Sequence, residues 1–193
     1  MYVAFEGIDC VGKSTQISLL KKIYKEAIFT LEPGGTNLGK SLRDILLHQN
    51  LNLKKRAEIL LFLADRAQHY EEIIYPNKNK LIISDRSFIS GMAYAVDFDD
   101  ELLFSLNSFA LDHFFPQKII FLKADANLIK QRLGEKNLDI IEQRGIEYFL
   151  NVQNKLENIL LFLRNKIQIE ILKLNANQTI EELHIKIKEF LND

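Results

Sequence analysis

One stretch constrains this chain more than any other: Glu6-Gly7-Ile8-Asp9-Cys10-Val11-Gly12-Lys13-Ser14-Thr15, which reads G-x-x-x-x-G-K-S from Gly7. It follows a short apolar run, Tyr2-Val3-Ala4-Phe5, with the pattern of a buried strand. It precedes Thr15–Lys25, where Ile17, Leu19, Leu20 and Ile23 recur at helical spacing. Strand, glycine loop and helix in that order are the context a phosphate-binding loop requires. Glycines let the backbone turn tightly and approach phosphate oxygens. The loop amides and the helix N-terminus then aim partial positive charge at the anion. Lys13 is placed to reach the β- and γ-phosphates of a nucleoside triphosphate, and the Ser14 hydroxyl to bind Mg²⁺. Cys10, the single cysteine of the chain, reads as a tolerated small side chain, because no second cysteine supports a redox role.

Past the loop, strand-like and helix-like segments alternate. Ala27–Leu31 reads as a second strand running into the turn Glu32-Pro33-Gly34-Gly35-Thr36. Leu38–His48 reads as a short helix, and Lys54–Tyr75 as a long one ended by Pro76. Lys80–Ser84 is a third strand, ending at Asp85-Arg86. Helical stretches follow over Phe88–Val96 and Asp99–Phe114. A fourth strand spans Lys118–Leu122, and Asn127–Leu133 is helical. After a polar break, Ile141–Asn165 carries helical periodicity. Ile167–Leu172 alternates like a fifth strand. Thr179, with Glu182 three residues on, is placed to cap a final helix through a capping box. Five mostly continuous apolar strands alternating with helices predict an α/β fold: a five-stranded parallel sheet with helices on both faces, in one domain spanning residues 1–193. In such a sheet, ligands bind beyond the carboxyl ends of the strands. The glycine loop, the Glu32-Pro33-Gly34-Gly35 turn and Asp85-Arg86 all fall there, which points to one active site.

A chain of 193 residues with a net charge of −1 carries no electrostatic signature of a nucleic-acid or membrane-surface partner. No stretch approaches the ~18 apolar residues of a membrane span. One cysteine and the absence of a signal-peptide pattern predict a reducing, cytoplasmic setting. His48, His69, His113 and His184 show no metal-ligand spacing and read as structural or surface residues.

Asp85, at the end of an apolar strand, stands where a carboxylate that holds Mg²⁺ through water is expected; the other role for an aspartate there is a helix N-cap. The planar fork of Arg86 suits bidentate phosphate binding, although an arginine at that place can also simply face solvent. Phe62 and Arg66 lie four apart and share a helix face, so ring and guanidinium can stack on a base and bond its carbonyl edge. A phenylalanine on an apolar helix face is more often core. Arg43 is placed either to neutralise phosphate or to face solvent.

Taken together, Phe5-Glu6-Gly7-Ile8-Asp9, Glu32-Pro33-Gly34-Gly35-Thr36, Phe62-Leu63-Ala64-Asp65-Arg66-Ala67-Gln68 and Asp85-Arg86-Ser87-Phe88-Ile89-Ser90-Gly91 resemble the thymidylate kinase family of P-loop nucleoside monophosphate kinases. The likeness is strong from Met1 to about Tyr94 and rests on topology beyond. It implies a homodimeric enzyme that transfers the γ-phosphoryl of ATP to dTMP with Mg²⁺, giving ADP and dTDP for dTTP synthesis. On that likeness ATP would lie against Gly7, Ile8, Asp9, Cys10, Val11, Gly12, Lys13, Ser14, Thr15 and Arg132, with Ser14 and Asp85 at the metal. Phe62 would stack on thymine and Arg66 bond its carbonyl edge. Arg86, with Arg43, would hold the dTMP phosphate, and Glu32 would lie near that phosphate or a Mg²⁺-bound water. Asp9 would touch the sugar or the acceptor phosphate, Tyr94 would pack near the sugar, and Pro33, Ser90 and Gly91 would line the same site. The catalytic set would be Lys13, Asp9, Arg86, Asp85 and, from a lid at about 131–144, Lys136.

The chain departs from the family pattern in places. Leu31 stands where an arginine is usual, Ala95 where many bacterial relatives carry a glutamine, and Cys10-Val11 where smaller residues are common. The phosphate loop holds no arginine, so the lid would supply the catalytic cation. Two rival readings differ in chemistry. Another P-loop kinase would phosphorylate a different small acceptor. A GTPase-type switch would need an Asn-Lys-x-Asp guanine reader, and Asn77-Lys78-Asn79-Lys80 lacks the aspartate.

Overall fold

A computed structural model describes residues 1–133 and 145–193. The buried apolar run forms strand β1 (Tyr2–Glu6), and helix α1 (Lys13–Ile23) follows the glycine loop. Then come β2 (Ile28–Leu31), α2 (Asn37–Leu47), α3 (Lys55–His69), β3 (Ile82–Asp85), α4 (Phe88–Tyr94) and α5 (Asp100–Ala110). The chain closes with β4 (Lys118–Lys123), α6 (Ala126–Leu133), α7 (Ile146–Arg164), β5 (Glu170–Asn175) and α8 (Ile180–Asn192). All pairings are parallel, in the order β2-β3-β1-β4-β5. The register sets Phe5 beside Asp85 and Leu31 beside Asp85. The ends of β1, β2 and β3 are therefore level at one edge, as the apolar strand pattern predicts.

Burial explains why these segments are strands and helices. Val3, Ala4, Phe5, Ile82, Ile83 and Ile119–Leu122 are fully enclosed, so helices must cover both faces of the central strands. On α7, Phe149, Val152, Leu156, Ile159 and Leu163 form one buried stripe at helical period. Side-chain caps start several helices: Thr36 Oγ1 accepts from Gly39 N, Ser87 from Ile89 N and Asp99 from Leu102 N. Thr179 and Glu182 form the expected capping box.

Three expected boundaries move. The long helix leaves α geometry at His69: Tyr70–Ile74 is a π-helical turn and Tyr75–Asn77 a 3₁₀ turn that contains Pro76. The helix after Asp99 stops at Ala110, because Asp112 and His113 take positive φ and turn the chain. The fifth strand lies three residues later than its alternating pattern. Ile167 N instead bonds Leu163 O at 2.9 Å, closing α7, and β4 pairs only from Glu170 onward.

Candidate active site

The loop after β1 is shaped by close approach. Gly7 has φ +141°, and a Cβ there would stand 2.5 Å from Leu122 O, so a side chain is excluded by the neighbouring strand. Lys13 is 6% exposed and its Nζ donates to Gly7 O (3.0 Å) and Ile8 O (2.8 Å). The ammonium thus lies coiled against its own loop. Burial, with the Arg86 charge adding to it, pulls Lys13 below the ordinary lysine range. Ser14 Oγ donates to Asp85 Oδ2 at 3.1 Å. Asp85 is therefore not a helix cap; Ser87 caps α4 instead.

Arg86 takes φ +72°, a left-handed conformation that costs a side-chain-bearing residue energy. Two contacts hold it there: its N–H donates to Phe5 O (2.9 Å), and Ser84 Oγ donates to its carbonyl (2.7 Å). The result is a guanidinium laid over the end of β1 onto the glycine loop. Nη1 donates to Gly7 O (2.9 Å) and Ser90 Oγ (3.0 Å), and Nη2 to Asp9 Oδ1 (2.6 Å). Beneath it, buried Glu6 accepts from Ser87 Oγ (2.7 Å) and Ser90 Oγ (2.5 Å), with its carboxyl pushed up by burial.

A second polar cluster ties β2 to α3. Glu32 is 3% exposed, and Arg66 Nε donates to its Oε2 (2.8 Å). Its Oε1 is 3.0 Å from His69 Nδ1; a carboxylate only accepts, so Nδ1 carries the proton. His69 Nε2 then faces Thr30 Oγ1 at 2.6 Å. Burial alone would raise the Glu32 carboxyl, but Arg66 and His69 outweigh it and hold the group below its ordinary range. Asp65 Oδ1 accepts from Gly34 N (3.0 Å), and Arg43 Nη1 donates to Pro33 O (2.9 Å), which fastens the turn after β2.

Two hollows meet at this edge. The larger, about 610 Å³, is walled by Asp9 to Gln16, Leu31, Asp85 and Arg132, and by residues after β5 including Ala176, Gln178 and Ile180. The smaller, about 80 Å³, is walled by Asp9, Glu32, Pro33, Arg43, Phe62, Arg66, Arg86, Ser90, Gly91 and Tyr94, every residue the sequence points to for the acceptor, joined by Leu47 and Ser87. Asp9, Glu32, Arg43 and Arg86 line both. Arg132 Nη1 bonds Cys10 O at 2.8 Å, over the loop.

Several expectations resolve differently in detail. Gly7 and Ile8 do not line the larger hollow; Ile8 is fully buried, and these two residues contribute carbonyls to Lys13. Both oxygens of Glu32 are committed to Arg66 and His69, while the residue lines both hollows. Ser90 holds Arg86 and Glu6 together. Lys136 and most of the expected lid lie outside the described residues, as does Arg144. The wall after β5 and the place of Leu47 go unread in the sequence, and His69, expected as structural or surface, is the buried partner of Glu32. The rule that ligands sit at strand carboxyl ends would have found the first; burial against partners distant in the chain decides the others. The Asn77–Lys80 segment precedes β3 and so lies at the opposite edge of the sheet, which removes it as a base reader.

A Walker-type loop and a second, apolar-rich hollow sharing a wall that carries two arginines and two carboxylates, on a five-stranded parallel sheet, define a P-loop nucleotide kinase. Comparison with known proteins narrows the class. The family model described as thymidylate kinase matches residues 5–187. The chain is 73% identical over 191 residues to a thymidylate kinase of Campylobacter jejuni, covering 99% of this chain and 100% of that one. It is 64% identical to a thymidylate kinase of Campylobacter lari, with complete coverage of both. It is also similar to the crystal structure of thymidylate kinase from Ehrlichia chaffeensis, at TM-score 0.77 and 26% identity over 100% of this chain and 98% of that one. The chain belongs to the thymidylate kinase family, and its reaction is phosphoryl transfer to dTMP.

Proposed function

We propose that the larger hollow holds ATP and the smaller one dTMP, with transfer of the γ-phosphoryl at the wall they share. The observation that carries this reading is that Asp9, Glu32, Arg43 and Arg86 line both hollows. Donor and acceptor phosphates must meet in line, and two arginines stand where their charges would collide. Phosphoryl transfer needs little covalent help; it needs positioning and charge neutralisation. Lys13 leaves its loop carbonyls for the β- and γ-phosphates. Arg86, fixed by Asp9, and Arg43, fixed by Pro33 O, hold the dTMP phosphate. Phe62 stacks on the base, Arg66 donates to its carbonyl edge, and Tyr94 packs beside the sugar.

Ser14 and Asp85 present two hard oxygen donors 3.1 Å apart beside the phosphate loop, a set that suits Mg²⁺ with phosphate and water completing its shell. Bound there, Mg²⁺ would neutralise charge on the β- and γ-phosphates. Residues 131–144 serve as the lid over ATP, with Arg132 at the phosphates and Lys136 as the transition-state cation. Leu102 and Phe109 on α5 are 50% and 86% exposed, and α5 packs against α3, whose Leu60 is 61% exposed. An apolar face of that kind suits a homodimer interface. A lone cysteine and nucleotide substrates are in keeping with the cytoplasm.

The test is ADP formation from ATP and Mg²⁺ with dTMP, dUMP, dCMP, UMP, CMP, AMP, GMP, thymidine or no acceptor. Strong preference for dTMP is expected. Activity with thymidine alone, or ADP release without any acceptor, would overturn the assignment of Phe62, Arg66 and Arg86.

A further inference from the structure

Arg66 is gripped from both sides. Its Nε donates to Glu32 Oε2, and its Nη1 donates to Asn107 Oδ1 at 2.5 Å. Asn107 sits in the last turn of α5, 3% exposed, and is not among the residues that wall the smaller hollow. Its Nδ2 donates to Leu103 O at 2.7 Å. That second bond fixes which way the amide faces: nitrogen back to its own helix, oxygen to the arginine. On the remaining side Gly91 closes in, where a Cβ would stand 2.9 Å from Nη2. A side chain with long, freely rotating bonds is thereby left with one orientation.

A guanidinium only donates. Facing a pyrimidine, it bonds a 4-oxo group and opposes a 4-amino group, whose N–H bonds point back at it. The opposition is effective only if the guanidinium cannot swing aside. We propose that Asn107 is a specificity-determining positioning residue, which makes no contact with the base and sets the preference for a 4-oxo over a 4-amino pyrimidine nucleotide by locking Arg66. The proposal deepens the reading of Arg66 as the base contact and rests on it.

The experiment measures kcat and KM for dTMP and dCMP at saturating ATP, with thermal unfolding alongside, for Asn107→Ala, Asn107→Ser, Asn107→Asp and Arg66→Gln. Loss of a bond to a charged group is worth about tenfold or more. Asn107→Ala should raise KM for dTMP by about that factor, hold kcat within about threefold, and lower the dTMP-to-dCMP ratio of kcat/KM about tenfold. Asn107→Ser perturbs the core less and should move the ratio the same way, which keeps the test in force if the alanine variant does not fold. Asn107→Asp keeps an acceptor oxygen in place and should restore most of the ratio. A folded Asn107→Ala or Asn107→Ser enzyme that slows with both acceptors equally, at an unchanged ratio, overturns the proposal and leaves Asn107 a packing residue. If Arg66→Gln also leaves the ratio unchanged, the reading of Arg66 itself fails. If Arg66→Gln collapses the ratio and the Asn107 variants do not, only the role of Asn107 fails.

Discussion

Arg86 Nη2 lies 2.6 Å from Asp9 Oδ1, an ion pair that joins the end of β3 to the phosphate loop that follows the neighbouring strand β1. The two side chains are 15% and 29% exposed, so the pair is accessible to substrate and its value to folding is small. Its effect is on aim. Asp9→Asn should lower kcat/KM for dTMP by about 10- to 100-fold through a misplaced guanidinium while the melting temperature moves little. Steady-state kinetics and a thermal melt check this. Unchanged kcat/KM would make the pair a structural tie only.

Lys13 gives a prediction in pH. With its value pulled below 10.5, the free enzyme loses this ammonium at lower pH than an ordinary lysine would. ATP affinity without acceptor should fall as pH rises through that region, because the neutral amine no longer attracts the polyphosphate. Bound ATP favours the charged form, so the fall should shift upward when ATP saturates. Lys13→Ala should fold, lack the pH-dependent step and lose turnover. A folded and active Lys13→Ala protein would remove the phosphate-loop assignment.

Phe62 borders the smaller hollow and is absent from the wall of the larger one. Phe62→Ala should raise KM for dTMP by about tenfold or more, in line with the worth of base–aromatic stacking, and leave KM for ATP within about twofold. Equal weakening of both substrates would show that the ring is core and not platform.

Glu32 makes the acid side of the stability curve informative. Its folded-state value is depressed below 4.5. Its contribution is therefore fully present above 4.5 and is lost as pH falls through the lower folded value. Glu32→Gln leaves Arg66 without its buried counter-charge and should cost about 3–5 kcal/mol at neutral pH. Urea unfolding from neutral pH to about pH 3 should show wild type and variant converging at the acid end. Parallel curves would place the acid sensitivity elsewhere.

Phe109, 86% exposed, is the most exposed large apolar side chain among the described residues. Phe109→Glu should convert a dimer to a monomer in light scattering without changing the far-UV spectrum. A wild-type chain that runs as a monomer would set aside the dimeric reading.

The sequence alone determined the sheet, the phosphate loop and most of the residues that wall the smaller hollow. Those features are local: a run of apolar residues, a glycine spacing, or a pair four apart on one helix face already carries its own geometry. Thr179 and Glu182 found each other because a capping box spans three residues. What lay beyond the sequence was which side chains meet across distance. Glu32 shows no partner in the sequence until Arg66 and His69, three residues apart on α3, close on both its oxygens. Asn107 looks like one polar residue in an amphipathic helix until packing sets it on Arg66, 41 positions away. The fifth strand slid three residues because its boundary is fixed by hydrogen bonds to β4, which no pattern within Ile167–Leu172 encodes. Burial makes such choices binding, since a polar group shut away from water must find its partner wherever the fold brings one.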